Sequence, residues 1–270
     1  MDNETKTTPP PRRLDPARRR LRARLAGDWL FDTLDACLFY EKGQHPIYAI
    51  PVALLDPTML EPAGRVASKR DSDGQWWSLR VGNEVRPAVV RTWPTAPADL
   101  PALKDYAAVE TAAAEAWFEE DTEIFYRPRD PYRRVDILES SRWVRVEVGG
   151  LIVAETRRPR LVLKTGLPSQ WYIPRSDIDW AYLSASEMQS YCQYKGRARY
   201  WDVTLGGQTY AAMAWSYEEA IVAASDLAGL VGFPRTHASV KTFVNDELLN
   251  QTAYSPDWHS PSLAVGKQPE

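Results

Sequence analysis

The sequence is poor in the residues that build metal sites and disulfide frameworks. Its 270 residues include only two cysteines, Cys37 and Cys192, and three histidines. These residues are too few and too scattered for a zinc site, whose ligands come in closely spaced pairs. Gly-rich phosphate loops and the Ser-His-Asp order of hydrolases are missing as well. The sequence therefore predicts neither a bound metal nor a cofactor.

Long apolar runs are also missing. No run of eighteen apolar residues occurs, and the N-terminal segment is polar and rich in proline. Neither a membrane span nor a secretory signal is therefore expected, and we expect a cytoplasmic protein. The content of 44% hydrophobic residues and the net charge of −3 are typical of a soluble globular chain. Its length is sufficient for two domains, and its oligomeric state is left open.

One segment is rich in arginine. Five arginines stand between Arg18 and Arg24, which would suit contact with a nucleic acid. Leu21 and Leu25 alternate with them, however, as in an edge strand with one solvated face. Because the chain as a whole is not basic, a solvated strand face is the favoured interpretation and a nucleic-acid partner is disfavoured.

The chain contains an internal repeat. Several residues recur at a fixed displacement of 123 positions (166 − 43 = 123), with small slips further along. Such self-similarity predicts two tandem copies of one fold. The identical pairs are Gly43/Gly166, Ile50/Ile173, Pro51/Pro174, Asp56/Asp179, Trp77/Trp201 and Trp93/Trp215.

Composition places the domain boundaries. Residues 1–17 are predicted to be a disordered tail, residues 18–126 a degenerate first copy, and residues 127–140 a proline-containing linker. An intact second copy should follow at 141–248, and the polar segment 249–270 should be a C-terminal tail.

Each copy is dominated by strand signals. Short segments rich in Val, Ile, Tyr and Trp alternate with turns, including Gly149-Gly150 and Gly206-Gly207 between alternating segments. An Ala-rich stretch at 99–116 and a capping box at 216–219, leading to a helix that ends near residue 227, predict one late helix in each copy. The predicted class is mainly β (α+β), with two tandem antiparallel β-rich domains.

One hexapeptide of the second copy carries chemically interesting groups. It reads Tyr191-Cys192-Gln193-Tyr194-Lys195-Gly196, whereas the first copy has Ala67-Ser68-Lys69-Arg70-Asp71-Ser72 at the matching place. A tight turn at the glycine would bring the ammonium close to the sulfur, and a neighbouring cation favours the reactive thiolate. Two interpretations stay open, because a cysteine is also commonly a small buried hydrophobe.

Further candidates come from comparison of the copies. Arg175 and Ser176 are matched by Val52 and Ala53 in the first copy, so these polar groups belong to the second copy alone. Arg175, Ser176 and Lys195 together would suit a phosphate or a carboxylate.

Aromatic residues could form the walls of such a site. Tyr194 and Tyr217 have no aromatic match in the first copy and are the better wall candidates, whereas Trp201 and Trp215 are assigned to packing. Asp177 and Asp179 could be a carboxylate pair, but a turn-capping role is favoured for Asp179 because Asp56 matches it.

Several ordered motifs resemble one protein family. The chain is similar to the bacterial domain-of-unknown-function family 427 over both copies. This resemblance implies a β-rich fold similar to β-tent domains and a nucleotidyltransferase-like label. The motifs are Ala116-Trp117-Phe118-Glu119-Glu120-Asp121, Pro128-Arg129-Asp130-Pro131-Tyr132-Arg133-Arg134-Val135-Asp136, Thr165-Gly166-Leu167-Pro168, Tyr172-Ile173-Pro174, Cys192-Gln193-Tyr194-Lys195-Gly196 and Ala214-Trp215-Ser216-Tyr217.

The chain also departs from the family pattern. Gln193 stands where the family usually has a proline, and Lys164 stands where it usually has a glutamate before Thr-Gly-Leu-Pro. The zinc-binding knuckles common among β-tent domains are absent from the sequence.

Two functions from different classes remain. The first is a small-ligand-binding domain, or an enzyme, that uses Cys192, Lys195 and Arg175 against a phosphorylated or carboxylated compound. The second is a non-catalytic interaction module or scaffold in which the hexapeptide is only a structural turn. The clustering of unshared polar residues in the second copy favours the first function, and it assigns no catalytic residue.

Overall fold

The computed structural model describes residues 12–41, 45–63, 74–125 and 127–249. By its contacts the chain divides into two compact units, Met1–Asp130 and Pro131–Glu270. The division falls inside the segment that composition predicted to be the linker. The two units are called the first and the second unit.

The first unit consists of two antiparallel sheets in the part that the structure describes. Its large sheet has seven strands in the order β1-β4-β5-β9-β8-β7-β6, and its small sheet has the order β11-β10-β2-β3. The strands are β1 (Arg12–Pro16), β2 (Leu21–Leu25), β3 (Asp28–Thr33), β4 (Cys37–Glu41), β5 (Ile47–Pro51), β6 (Leu60–Pro62), β7 (Gln75–Val81), β8 (Glu84–Thr92), β9 (Tyr106–Val109), β10 (Ala116–Glu119) and β11 (Thr122–Ile124).

The second unit repeats this topology strand for strand. Its large sheet has the order β12-β15-β16-β20-β19-β18-β17, and its small sheet has the order β14-β13-β21-β22. Adding eleven to each strand number of the first unit gives both orders, so the structure confirms a tandem repeat. The strands are β12 (Val135–Glu139), β13 (Val144–Val148), β14 (Leu151–Thr156), β15 (Arg160–Lys164), β16 (Gln170–Pro174), β17 (Leu183–Cys192), β18 (Gly196–Leu205), β19 (Gln208–Ala220), β20 (Leu230–Gly232), β21 (Val240–Val244) and β22 (Glu247–Leu248).

Strand pairing fixes which residues of the two units are equivalent. The displacement is 123 in the early strands, since Leu38 pairs with Tyr48 as Leu161 pairs with Trp171. It becomes 124 after the hairpin that joins the sixth and seventh strands of each unit. There Trp77 pairs with Val90, and Trp201 pairs with Ala214. One residue was therefore gained in that hairpin, and the match of Trp77 with Trp201 is confirmed.

The match of Trp93 with Trp215 is wrong. Arg91 lies opposite Ala108, and Trp215 lies opposite the equivalent residue, Gly232, so Arg91 is the equivalent of Trp215. By the same register Trp93 is the equivalent of Tyr217. Sequence identity had aligned two tryptophans that lie two residues out of register.

Alternation of apolar and polar residues builds the strands. In β2, Leu21, Ala23 and Leu25 are buried, and the arginines between them point away from the core. Arg20 forms an ion pair with Asp32 across the small sheet. This alternation confirms a strand in the arginine-rich segment, but β2 lies between β10 and β3 and is not an edge strand. That a nucleic-acid partner is disfavoured stays a prediction.

The main core of each unit lies between its two sheets, and a second cluster lies on the other face of the large sheet. We call that other face the outer face. In the first unit it carries Phe39 and Trp93, covered by Leu103. In the second unit it carries Tyr172 and Tyr217, covered by Leu227 and its neighbours.

The predicted late helices are wrong. In the first unit residues 99–116 contain β9 between two short 3₁₀ helices. In the second unit β19 continues through the predicted capping box, where Ser216 is fully buried and pairs with Val231. Sheet pairing outweighs the weak helix preference of these Ala-rich stretches. The helical turns among the described residues are all 3₁₀, at Val52–Leu54, Pro57–Met59, Pro101–Asp105, Thr111–Ala113, Arg175–Asp177, Trp180–Tyr182 and Val222–Leu227.

Strands begin earlier than the predicted domain boundaries. Strand β1 lies within the predicted N-terminal tail, and β12 lies within the predicted linker. Residues 1–11 and 250–270 of the predicted tails, and the first-copy hexapeptide at 67–72, lie outside the described residues. The structure is mainly β, and the likeness to β-tent domains stays a prediction.

Candidate functional site

The hexapeptide of the second unit forms the turn between β17 and β18. Cys192 lies opposite Gly196, and the Lys195 amide donates a hydrogen bond to the Cys192 carbonyl at 3.0 Å. The Lys195 carbonyl accepts a hydrogen bond from the Ile221 amide at 3.1 Å, which ties the turn to the segment after β19. Gly196 has a φ of +108°, a conformation that other residues rarely adopt. This turn therefore holds Cys192 and Lys195 in fixed places.

Lys195 lies on the aromatic outer face of the large sheet. Its ammonium donates a hydrogen bond to the Tyr172 hydroxyl at 3.0 Å and lies 4.8 Å from the centre of the Tyr217 ring. The indole of Trp215 donates to the same hydroxyl at 3.1 Å. Because Tyr172 is fully buried, it anchors the half-buried ammonium of Lys195.

Lys164 brings a second ammonium to the same place. It lies 4.3 Å from the centre of the Tyr194 ring. Burial lowers the pKa of Lys164, and the positive charge of Lys195 lowers this pKa further, while Cys192 acts in the opposite direction. Neither ammonium has a carboxylate partner within the part of the chain that the structure describes. We call Lys164, Cys192 and Lys195, with the rings of Tyr172, Tyr194 and Tyr217, the lysine cluster.

The thiol and a phenol complete this cluster. Cys192 is free and half-buried, and it packs against the outer-face residues. Burial raises the pKa of Tyr217, and the neighbouring Tyr172 and Cys192 raise it further. Tyr217 is therefore a neutral phenol at physiological pH, and the positive charges of the cluster come from its lysines.

Arg175 lies apart from the cluster. Its guanidinium is 4.3 Å from the centre of the Trp180 ring and 5.2 Å from that of Trp201. It also forms an ion pair of 3.1 Å with Glu218. Trp201 belongs to the core between the sheets rather than to the outer face. The structure therefore does not bring Arg175 together with Cys192 and Lys195.

Ser176 is engaged elsewhere too. It accepts a hydrogen bond from Arg158 at 2.9 Å and donates one to Asp177 at 2.7 Å. The hydrogen bond from Arg158 is the largest of the effects that lower the pKa of Asp177, to about 2. Asp179 accepts from the Ala181 amide at 3.1 Å, so its predicted turn-capping role is confirmed.

Three residues of the site were missed or misassigned by sequence reasoning. Lys164 was noted only as a departure from the family pattern, Tyr172 was noted only within a family motif, and Trp215 was assigned to packing. Their common signal is the strand order, since β15, β16, β18 and β19 meet in one sheet. That order cannot be read from local periodicity alone.

The first unit has a different set of groups at the equivalent position. Glu41 is the equivalent of Lys164, and Arg91 is the equivalent of Trp215. The guanidinium of Arg91 is only 1% exposed and lies 2.7 Å from the Glu41 carboxylate. It also lies 4.5 Å from the centre of the Trp93 ring. Arg91 therefore has a carboxylate partner inside the first unit, and this carboxylate also lies 3.7 Å from Arg12. Among the described residues of the second unit, Lys164 and Lys195 have no carboxylate partner.

The described ranges contain neither a metal-binding cluster nor a membrane-spanning helix. Within residues 12–41, 45–63, 74–125 and 127–249, no group of three or more His, Cys, Asp or Glu side chains could hold a metal ion. In the same ranges, no helix has both the length and the apolar character needed to cross a membrane.

Comparison with known proteins agrees with the repeat. The sequence matches the family described as "Domain of unknown function (DUF427)" over residues 13–120 and again over residues 136–246. No curated protein matches the chain. The two matched segments cover most of the chain and coincide with the two sheet pairs. The chain belongs to the domain-of-unknown-function family 427 and carries two copies of its domain in tandem.

Proposed function

We propose that the second unit binds a small anionic compound, phosphorylated or carboxylated, at the lysine cluster. The observation that carries this proposal is the pair of half-buried ammonium groups, Lys164 and Lys195, with no carboxylate partner in the described part of the chain. Partial burial of a charge without a counter-ion costs free energy. An anion placed between these groups would remove that cost, and the lowered pKa of Lys164 would rise again.

The surroundings of the ammonium groups suit a ligand with an apolar body. The rings of Tyr194 and Tyr217 are largely buried beside the two lysines and would form its walls. Lys195 is held by Tyr172 before any ligand arrives, so little side-chain freedom is lost on binding. Aromatic walls with a few fixed polar anchors are typical of small-molecule sites.

The equivalent position of the first unit is not suited to an anion. There Glu41 occupies the position of Lys164 and neutralises the buried Arg91. An additional anion would meet the Glu41 carboxylate, which already lies between Arg91 and Arg12, at 2.7 Å and 3.7 Å. The proposed partner is therefore a small molecule that binds to the second unit, and the proposed location of the protein is the cytoplasm. Neither a membrane nor a nucleic acid is needed for this function.

Arg175 and Ser176 are left out of the proposed site. Both already have polar partners, Glu218 and Arg158 respectively. Cys192 is kept as a contact residue at the edge of the cluster. The proposal concerns binding, and neither a nucleotidyltransferase-like reaction nor any catalytic residue is assigned.

The test is thermal unfolding of the full chain in the presence of inorganic phosphate or citrate at constant ionic strength. Either anion should raise the midpoint of wild type. Lys195→Ala should weaken this response by about tenfold in anion concentration, because one charge-assisted hydrogen bond is lost. Lys241→Ala is the matched control, because Lys241 is an exposed lysine on the small sheet of the same unit.

Three outcomes decide the matter. A response to phosphate alone or to citrate alone identifies the anion class. Equal responses in wild type, Lys195→Ala and Lys241→Ala would show that the anions act on the surface in general and would contradict the proposal. A lack of any response, together with slow reaction of Cys192 with a thiol reagent, would favour the scaffold function.

A further inference from the structure

The first unit contains an open pocket that is separate from its buried Arg91. The pocket has a volume of about 280 Å³. It lies where β5 and β8 end, and Trp77 and Trp93 line it together with Val52 and Leu60. One ammonium, that of Lys104, also lines it. The pocket is therefore aromatic and aliphatic with a single charged group.

The second unit shows what occupies this place when the residues differ. Arg175 is the equivalent of Val52, and its guanidinium stacks on Trp201, the equivalent of Trp77. Trp180 stands where the first unit has Pro57; its ring centre lies 4.3 Å from the guanidinium, and its ring packs edge to face against Trp201. The side chain of Arg175 thus takes the space that Val52 leaves open. The pocket of the first unit is a position that the fold can fill with a flat group lying on a tryptophan.

The charge around the pocket differs between the units as well. Glu218 forms the ion pair with Arg175 in the second unit, and its equivalent in the first unit is Pro94. Lys104 is exposed at the pocket and forms no ion pair within the described residues. A cationic ligand would therefore meet an ammonium instead of a carboxylate. The charge favours a ligand that carries a negative group.

The orientation of Trp77 is fixed. Its indole donates a hydrogen bond to the Thr92 hydroxyl at 2.8 Å, so the ring is held in place as one wall. A fixed aromatic wall favours flat rings, which stack on it with little loss of side-chain freedom. In size, a cavity of about 150 Å³ accepts benzene, so this pocket has room for about two fused rings.

We propose that this pocket of the first unit binds a flat aromatic carboxylate of one or two rings. The ring lies against Trp77 in the place that Arg175 takes in the second unit, and the carboxylate faces Lys104. This site is independent of the lysine cluster, since it lies in the other unit and uses none of the same residues.

The experiment is calorimetric titration of the full chain with naphthalene-1-carboxylate. Naphthalene-1-methylamine tests the charge, and acetate tests the need for a ring. The titrations are made in Lys195→Ala, because the lysine cluster of wild type would also receive a carboxylate. In this variant the carboxylate should bind at least about tenfold more tightly than the amine, and acetate should not bind the pocket. Adding Val52→Arg should abolish the remaining binding of the carboxylate, because the new side chain fills the pocket. Lys104→Glu should reverse the preference between carboxylate and amine without placing any new group in the core.

The Lys195→Ala variant shows which of the two units binds the carboxylate. Retained binding of the carboxylate in Lys195→Ala, with loss of that binding when Val52→Arg is added, is the expected result. Loss in Lys195→Ala with no effect of Val52→Arg would place the compound in the lysine cluster and overturn the proposal. Equal affinity for carboxylate and amine, or no binding to wild type, would overturn it too. If Val52→Arg fails to fold, the charge reversal in Lys104→Glu decides, since this residue is exposed.

Discussion

Gly196→Ala should disrupt the turn that holds the lysine cluster together. Gly196 has a φ of +108°, so an alanine would be strained by about 1–2 kcal/mol. Its Cβ would also overlap the Glu219 carbonyl oxygen and lie 3.0 Å from the Ile221 amide nitrogen. Both are backbone atoms of a segment bonded to the turn, so they cannot move away cheaply. Such overpacking costs about 1–3 kcal/mol more.

The expected net loss follows from these contributions. Replacing glycine by alanine also restricts the unfolded chain, which stabilises the folded state by about 0.4–1 kcal/mol. The variant should therefore lose about 2–3 kcal/mol of unfolding free energy. Gly229→Ala is the matched control, because Gly229 has a φ of +73° in the same unit but no atom within 4 Å of the added Cβ. It has the strain without the overlap and should lose only about 1 kcal/mol, the middle of these ranges.

Urea unfolding followed by tryptophan fluorescence measures both variants, and hydrogen exchange of β18 amides assigns the loss to the second unit. Gly196→Ala should also weaken the response to phosphate, because Lys195 precedes the displaced residue and Cys192 lies opposite it. Equal stability losses in the two glycine variants would refute the overlap argument. If Gly196→Ala loses the expected stability but responds to phosphate like wild type, the turn is not needed for the anion site.

Three further predictions concern charged groups. Glu41→Gln should lower the free energy of unfolding in urea by about 3–5 kcal/mol, because it leaves the buried Arg91 without its counter-ion. The control Glu84→Gln breaks an exposed pair and should cost less than about 1 kcal/mol. Similar costs for the two variants would contradict the burial argument. Lys164→Met should be more stable than wild type at pH 7. Because the folded pKa of Lys164 lies below 10.5, wild type gains stability as pH rises between the folded pKa and 10.5, so the advantage should shrink there; an advantage independent of pH would argue against a lowered pKa. Asp177→Asn should be less stable than wild type at neutral pH and about equally stable at pH 2. The lowered pKa of Asp177 gives the folded state stability that is lost as the pH falls from about 3.8 to about 2. Urea midpoints measured along an acid titration check this, and a difference in stability that persists at pH 2 would count against it.

The repeat and the β class could be predicted because both leave local signals. Positive φ values at Gly149-Gly150 and Gly206-Gly207 fit the hairpin turns that their sequences indicate. The late helices could not be excluded in the same way. Ser216 and the alanines after it satisfy local rules for a helix start, yet β19 pairs with β18 along its length and with β20 at Trp215 and Ser216. Only the pairing of strands across the whole sheet decides between a helix and a continued strand at this position.

The candidate site was predicted in part. Cys192, Lys195, Tyr194 and Tyr217 do lie together, because three of them share one turn and Tyr217 lies on the adjacent strand β19. Arg175 was grouped with them because it is also absent from the first copy. Difference between copies, however, does not say on which face of a sheet a side chain lies. The face is decided by the register between the two copies, and this register changes by one residue between the sixth and seventh strands. No identical residue marks the position of that change in the sequence.

The same register changes the meaning of the first copy. At the level of sequence it is a copy that has lost its polar groups. In the structure, Glu41 and Arg91 occupy the equivalent position on the outer face, and Val52 leaves a pocket where Arg175 would be. The first unit is therefore differently equipped, with a neutralised charge pair and an aromatic pocket.

The central claim is that Lys164 and Lys195 together receive an anion. Nuclear magnetic resonance of carbon-13-labelled lysine side chains during titration with inorganic phosphate tests it most directly. The account predicts that the signals of Lys164 and Lys195 shift together, that the pKa of Lys164 rises towards 10.5, and that Lys241 does not respond. Uniform small shifts of all lysines, or an unchanged pKa of Lys164 at saturating phosphate, would contradict it.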